Sequence, residues 1–447
     1  MSTGEQSHKA EWIASDIERV MASYPATSFA GVVTDNTSTN KNAWEQLSRA
    51  HPSAYFQGCA SHELNLFVKD VFGATKTKKA RDAEPTYPVN YPFEELLNFI
   101  SVCKGIVKLF HNSHTLKAQI EAEKTKAGVR VLVRPAPTRW GTIKGCRETL
   151  LMSERILHAI VTARDFIKGT AAQKAERTRI KGVITSDNFI ALLTKSLAIL
   201  IPIDTLIVKY QKDSVSVSEV WPDFDALPDQ FAKLQLDGHA SAEEVNYLIM
   251  LLKSRYQFMY GKAHGLAFLL DPRFAGEEGP ETTNRGELEN ILLDTPMDDQ
   301  TPVDDARREV LYLQFTSYTI SAMKEKTANS FKFRALLKRS VTPLEYWQST
   351  GTAWPDLQKI CIKLFTMATS SAASERNFST MAFVHTKLRN RLAPKTVEKL
   401  VYIKSNHAAF EESVYEELEQ RSSDADSVGC SSGEEEENES NFQEEEE

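Results

Sequence analysis

The sequence has no run approaching the ~20 consecutive apolar residues that a bilayer-spanning helix needs. Its opening, MSTGEQSHKAEW, has none of the apolar core of a secretory leader. Neither membrane insertion nor export is expected. Cysteine is scarce: Cys59, Cys103, Cys146, Cys361 and Cys430 are odd in number and scattered, the usage of a reducing compartment without disulfides. No internal repeat is present. The end of the chain is poor in basic residues, with 16 Asp/Glu and a single Arg between Glu411 and Glu447. This Glu/Ser-rich stretch has no apolar face to bury, so a disordered acidic tail is expected over 409–447. Residues 1–410 then carry 45 acidic and 52 basic side chains, a net charge of +7. That mild excess permits a phosphate-rich partner, and an evenly mixed surface accounts for it equally well.

What is present is ordinary for folded protein: 447 residues, 41% hydrophobic and 26% charged, enough for two or three domains of roughly 150 residues each. The first segment, 1–72, alternates between helix and strand periods. Residues 9–24 place Trp12, Ile13, Ile17, Val20 and Met21 on one helical face. The run 28–34 reads as a short buried strand. A helix over 39–49 turns Ala43, Trp44 and Leu47 inward, 54–57 reads as a second strand, and a helix follows over about 61–72. This is part of an α/β layer fold. Residues 73–92 form a linker with the basic cluster Lys76, Lys78, Lys79 and Arg81. Helical periodicity dominates 93–345, with loops expected near 126–140, 168–187, 212–224 and 271–307. The acidic, Pro/Gly/Thr-rich part at 275–305 is expected to be mobile. A last apolar helical segment covers 346–408.

Several residues could carry chemistry. Asp35 follows a buried strand, where an α/β fold presents metal ligands, and a hard carboxylate there suits Mg²⁺. Asp35, Thr37 and Ser38 are equally the residues of an Asx-turn and a helix cap. Cys59 and His62 have the spacing of half a zinc site; the next pair, His111 and His114, lies far outside finger spacing, so a buried Cys and a hydrogen-bonded His are the simpler reading. Arg139 and Trp140 could contact phosphate and stack on a base, or be a surface Arg beside a core Trp. The basic cluster could serve nuclear import, phosphate contact or only a solvated linker. Near the C-terminus, Leu357, Ile360 and Leu364 form a helical stripe with Cys361. Glu375 lies near a helix start, where the dipole favours a carboxylate. Pro394 opens a helix that turns Val397, Leu400 and Val401 inward.

The ordered set VVTDNTSTN, CASHELNLFVKD, TRW and WPDL…SSAASERNFS…LRNRLAPKTVEKL resembles the hAT (hobo–Activator type) superfamily of transposases over most of residues 9–408, most specifically in the last 60. The resemblance implies an RNase H-like fold interrupted by a large all-helical insertion, here 93–345. It also implies three acids holding two Mg²⁺ or Mn²⁺ ions for DNA strand cleavage and transfer. By position, Asp35 and Glu375 match two of those acids and metal ligands, Cys59 and His62 match a structural motif, and Trp140 matches a Trp associated with a flipped base. The segment carrying Leu357, Ile360, Leu364, Phe378, Leu392, Val397, Leu400 and Val401 matches the dimerisation region. Only eight residues precede the first helix, too few for the strand carrying the family's first catalytic Asp or for a zinc-finger DNA reader. A partial RNase H-like α/β fold, mostly helical overall and with an exposed sheet edge, is therefore expected. The expectation is a transposase-derived homodimer or higher homo-oligomer, with DNA as a potential partner, no membrane partner, catalysis lost and no tightly bound metal. Nuclear residence is expected, with cytoplasmic residence the alternative. The competing readings are an active transposase completed by upstream sequence and a helical scaffold with no nucleic-acid role.

Overall fold

The computed structural model describes residues 9–72, 91–134, 141–212, 214–279, 284–384 and 392–404. Of the sequence expectations, Lys76, Lys78, Lys79, Arg81, Arg139, Trp140 and the acidic tail lie outside these residues. The chain divides into two compact units, Met1–Ala372 and Ala373–Glu447.

The first unit opens with α1 (Ala10–Ala22), β1 (Gly31–Thr34), α2 (Ser38–Ala50), β2 (Tyr55–Gly58) and α3 (Ala60–Phe72). The strands pair in parallel, with Gly31 opposite Tyr55 and Thr34 opposite Gly58. Parallel pairing requires a crossover, and α2 supplies it. At Gly31 a β-carbon would come within 2.0 Å of the Tyr55 carbonyl oxygen, so only glycine lets the strand ends approach this closely. Ala43, Trp44 and Leu47 of α2 are buried, as its periodicity predicts. On α1 the face is shifted. Ala10 and Ala14 are the buried residues, Ile13 and Ile17 are half-buried, and Val20 stays 42% exposed. The small alanines bring α1 close to α2, so contact centres on the edge of the expected stripe. β1 is half-buried along its length, whereas β2 is fully buried.

Helices then follow without further strands among the described residues: α4 (Glu94–Asn112), α5 (His114–Ala127), α6 (Thr142–Met152), α7 (Glu154–Thr162), α8 (Ala171–Ile184), α9 (Asn188–Tyr210), α10 (Val220–Asp225), α11 (Leu227–Leu236) and α12 (Ala242–Met259). The hub is α9. Its first half packs Phe189 and Leu193 into a core with α4–α8. Its second half, Ile199 to Tyr210, packs into a core with α3, α11 and α12. The expected boundary between 1–72 and the helical insertion is therefore crossed by a shared core, because α3 spends its apolar face on α9 and α12. By length and composition α9 could cross a membrane. Its charges are nonetheless paired within the fold: Asp204 with Lys144 at 3.0 Å, Lys195 with Glu244 at 2.7 Å, and Lys209 with Glu219 at 2.7 Å.

Three expected loops contain helices, and in one of them, 212–224, a 3-10 turn over Val217–Glu219 leads directly into α10. α8 falls within 168–187, started by a capping box in which Thr170 and Gln173 satisfy each other's backbone N–H groups. Its surface is charge-rich and only Ile180 and Ile184 are buried apolar contacts, so periodicity alone is too sparse to reveal it. The third lies within 275–305. α13 (Lys262–Leu270) is followed by α14 (Arg285–Leu293), capped by the Asn284 side chain. Leu288 and Leu292 of α14 insert into the core, so this stretch is anchored rather than wholly loop.

The unit is completed by α15 (Asp305–Thr327), α16 (Phe331–Leu337), α17 (Pro343–Ser349) and α18 (Pro355–Phe365), after which α19 (Ala372–Val384) begins. Here one assignment is corrected. Leu357, Ile360 and Leu364 were expected at a dimer interface, but at 0%, 2% and 0% exposure they lie inside a single chain. They share a core with Leu266, Leu270, Phe315, Tyr318 and Trp347 of α13, α15 and α17. Their stripe is amphipathic because it closes the fold of a single chain.

A buried ionic cluster joins these helices. Arg273 contacts Asp271 at 2.7 Å and Glu219 at 3.0 Å. Ser218 donates to Asp271 at 2.6 Å, and Arg339 reaches Glu219 at 2.6 Å. Burial alone would lower the Arg273 pKa, but the Asp271 and Glu219 carboxylates outweigh it and hold the guanidinium firmly charged. Removing one partner leaves buried charge uncompensated, so Arg273→Met should cost about 3–5 kcal/mol in urea denaturation. Leu364→Glu should abolish the cooperative thermal transition instead of converting a folded dimer to a folded monomer; circular dichroism separates the two outcomes.

Candidate functional site

The carboxyl ends of β1 and β2 converge on Asp35, Asn36 and Cys59. Each is held by a specific local bond. Thr37, not Asp35, is the N-cap of α2, its hydroxyl accepting from the Asn40 N–H at 3.1 Å. The Asn40 side chain donates to the Asp35 backbone oxygen at 2.9 Å. With Thr37 as the cap, the Asp35 carboxylate is left at the strand end, half exposed, its Oδ1 3.6 Å from Nδ1 of His62. That separation is too long for a direct hydrogen bond.

Asn36 and Gly58 were not visible as site residues in the sequence. The Asn36 amide donates to the Cys59 carbonyl at 2.8 Å, tying the two strand ends together. A β-carbon at Gly58 would come within 1.9 Å of Asn36 Oδ1, so glycine makes room for this side chain. A Gly directly before CASH, facing an Asn directly after Asp, was the available signal.

Cys59 is fully buried. Its sulfur accepts N–H groups from His62 and Ser371, both at 3.3 Å. Burial raises its pKa, with the two hydrogen bonds opposing, so it remains a thiol. It acts as a cap for α3 and an anchor for the 368–371 segment, which is further fixed by Gln57 donating to the Ala368 carbonyl at 3.3 Å and Ser370 donating to the Tyr210 carbonyl at 2.6 Å. His62, next along α3, is pushed down in pKa by burial, with the Asp35 charge opposing and Lys69 and Arg255 assisting. A neutral imidazole beside an exposed carboxylate is competent to ligate a metal or orient a water. Mg²⁺ keeps most of its waters and favours oxygen; the imidazole suits Mn²⁺ better.

Beneath His62, Glu63 is fully buried and contacts Arg255 at 3.2 Å. Arg255 also pairs with Asp70, clamping α3 to α12. Burial raises the Glu63 pKa from 4.5 to about 7, against the pull of Arg255. In the second unit, Glu375 is half-buried in the first turn of α19; Asp35 and Glu375 thus belong to different units. A further helix, α20, covers residues 394–404. Val397 is 3% exposed, Leu392 and Val401 are half-buried, and Phe378, Leu400, Tyr402 and Ile403 are 69%, 41%, 71% and 61% exposed.

Because the folded pKa of Glu63 is raised from 4.5 to about 7, its contribution to stability is complete below the unfolded value and is lost as pH rises through about 7. The urea midpoint should therefore fall between mildly acidic and mildly alkaline buffer, and Glu63→Gln should flatten that slope.

Comparison with known proteins bears on the C-terminal part most directly. Residues 321–407 match the model of the hAT family C-terminal dimerisation region. The match starts within α15 and runs through α20, further toward the N-terminus than the 346–408 segment expected from sequence. Human zinc finger BED domain-containing protein 4 is 21% identical over 396 residues, covering 84% of this chain and 30% of that protein. The chain thus spans less than a third of the length of the curated relative it matches. That similarity reaches well beyond residues 321–407, the part of the chain that is similar to the C-terminal dimerisation region of the hAT family.

Proposed function

We propose that the chain is a hAT transposase-related protein that self-associates through the exposed apolar part of its dimerisation region. The observation that carries this reading is the match over 321–407, combined with where its apolar side chains lie. With Leu357, Ile360 and Leu364 consumed by the core, the candidates for contact with a second copy are Phe378, Leu400, Tyr402 and Ile403 in one unit and Met323, Phe331 and Leu337 in the other. Large apolar groups exposed within a region of this type are what an interface buries. Asp35 and the neighbouring βαβ unit are read as part of an RNase H-like layer.

Strand cleavage by two metals requires several carboxylates around the ions. In the first unit Asp35 stands beside an imidazole, a pair suited to holding a cation; strand cleavage is read as lost in this chain because one acid of the family's set is missing. When bound, Mg²⁺ or Mn²⁺ would supply Lewis-acid chemistry at a phosphate; Asp35 and His62 are among the residues that would hold it. DNA binding, if it accompanies self-association, would be backbone-directed and salt-sensitive, and residence would be nuclear.

Light scattering on the full chain should give a dimer or larger species, and Tyr402→Asp with Ile403→Asp should shift it to monomer with the melting temperature unchanged. A monomeric wild type would overturn the proposal. Metal-dependent nicking of supercoiled plasmid by the wild type, lost in Asp35→Ala, would favour an active transposase.

A further inference from the structure

A cavity of about 400 Å³ opens between α10, α11 and α12, away from the strand ends. Its walls include Trp221, Phe224 and Tyr256. Trp221 has one face stacked on Phe268, with ring centroids 5.8 Å apart. Phe224 and Tyr256 are tilted against each other at 5.4 Å. Three charged residues also line it, Asp225, Asp229 and Lys253. Asp225 and Lys253 each already have an interaction partner. Asp229, exposed in the first turn of α11, makes no hydrogen bond or ion pair among the described residues. The uncommitted charge on this rim is therefore negative.

Aromatic side chains with an unpaired carboxylate define a narrow class of ligand. The electron-rich ring faces attract cations and the carboxylate adds a Coulombic term. A primary ammonium is strongly hydrated and needs several acceptors to replace its water; this lining is mainly apolar and offers one free carboxylate. A bulky, weakly hydrated cation loses little on entering. We propose that this cavity binds an alkylated ammonium group, with Trp221, Phe224 and Tyr256 supplying the aromatic walls and Asp229 the counter-charge. The group could be carried by a free small molecule or by a methylated lysine of another protein, and the chemistry at the cavity is the same.

The test uses the full-length chain and three probes: choline, its uncharged isostere 3,3-dimethylbutan-1-ol, and a short peptide bearing trimethyl-lysine, each titrated by calorimetry. Saturable choline binding, weakened about tenfold or more when the positive charge is replaced by carbon, is the expected result. Asp229→Lys, at an exposed position outside the core, should weaken choline by a similar factor with unchanged thermal unfolding. Tyr256→Leu should weaken it as well, and should Tyr256→Leu fail to fold, the Asp229 variant and the isostere decide alone. A peptide tighter than choline assigns the site to a modified protein tail; choline as tight or tighter assigns it to a free cation; either supports the site. Equal binding of the isostere, indifference to Asp229→Lys, or no saturable binding of any probe would overturn it.

Discussion

The first unit is organised around the burial of charge near Arg273. Asp271 is fully buried and Arg273 and Glu219 nearly so, an arrangement that survives only if each charge has partners of good geometry. Those partners come from separate stretches of chain: Ser218 and Glu219 before α10, Arg339 after α16, and Asp271 and Arg273 after α13. Lys209, at the end of α9, bonds both Glu219 and Asp223, while Tyr210 donates to Asp223 at 2.8 Å. Tyr210 also presents its carbonyl to Ser370, and Ser371 then bonds Cys59. A continuous chain of polar contacts thus runs from the charged cluster to the strand ends where Asp35 and His62 meet.

This arrangement explains what was legible in the sequence. The strands, α2 and α3 follow from short apolar runs and from Ala43, Trp44 and Leu47 at helical spacing. The cap at Thr37 was legible as one of three nearby candidates, while its consequence for Asp35, a carboxylate left free of capping and beside His62, emerged only from geometry. α8 and α14 were hidden because their helical signal lies in caps at Thr170 and Asn284 more than in apolar periodicity. The shift of α1 toward Ala10 and Ala14 was hidden because periodicity marks the large residues and not how closely two helices approach. The stripe of Leu357, Ile360 and Leu364 was visible as a stripe, but amphipathicity alone does not distinguish a core within one chain from a core between two. Asn36, Gly58 and the Glu63–Arg255 contact, 192 residues apart, required the three-dimensional structure.

The same constraints shape the functional reading. Cys59 and His62 have a metal-site spacing, yet the thiol is occupied as an acceptor for two backbone N–H groups, leaving the imidazole available to Asp35. The motif therefore positions the strand ends as much as it offers ligands. Apolar exposure within residues 321–407 lies on Phe378, Leu400, Tyr402 and Ile403 of one unit and on Met323, Phe331 and Leu337 of the other, not on the residues that close the first unit's core.

One feature of the strand ends has a bearing on how the chain is made. The bonds from Gln57 of β2 and from the adjoining Cys59 to the 368–371 segment join residues 311 and 312 positions apart. During synthesis from the N-terminus, α1 to α3 emerge with their local helices and strand pair. Their partners at Ala368, Thr369 and Ser371 do not exist until some three hundred further residues have been added. The intervening helices form through short-range contacts and can assemble early, whereas sequence-distant contacts close late. The end of the sheet that carries Asp35 and His62 is therefore among the last parts of the unit to be completed, and a ribosome that stalls within α18 releases a chain whose helices can form but whose candidate site cannot.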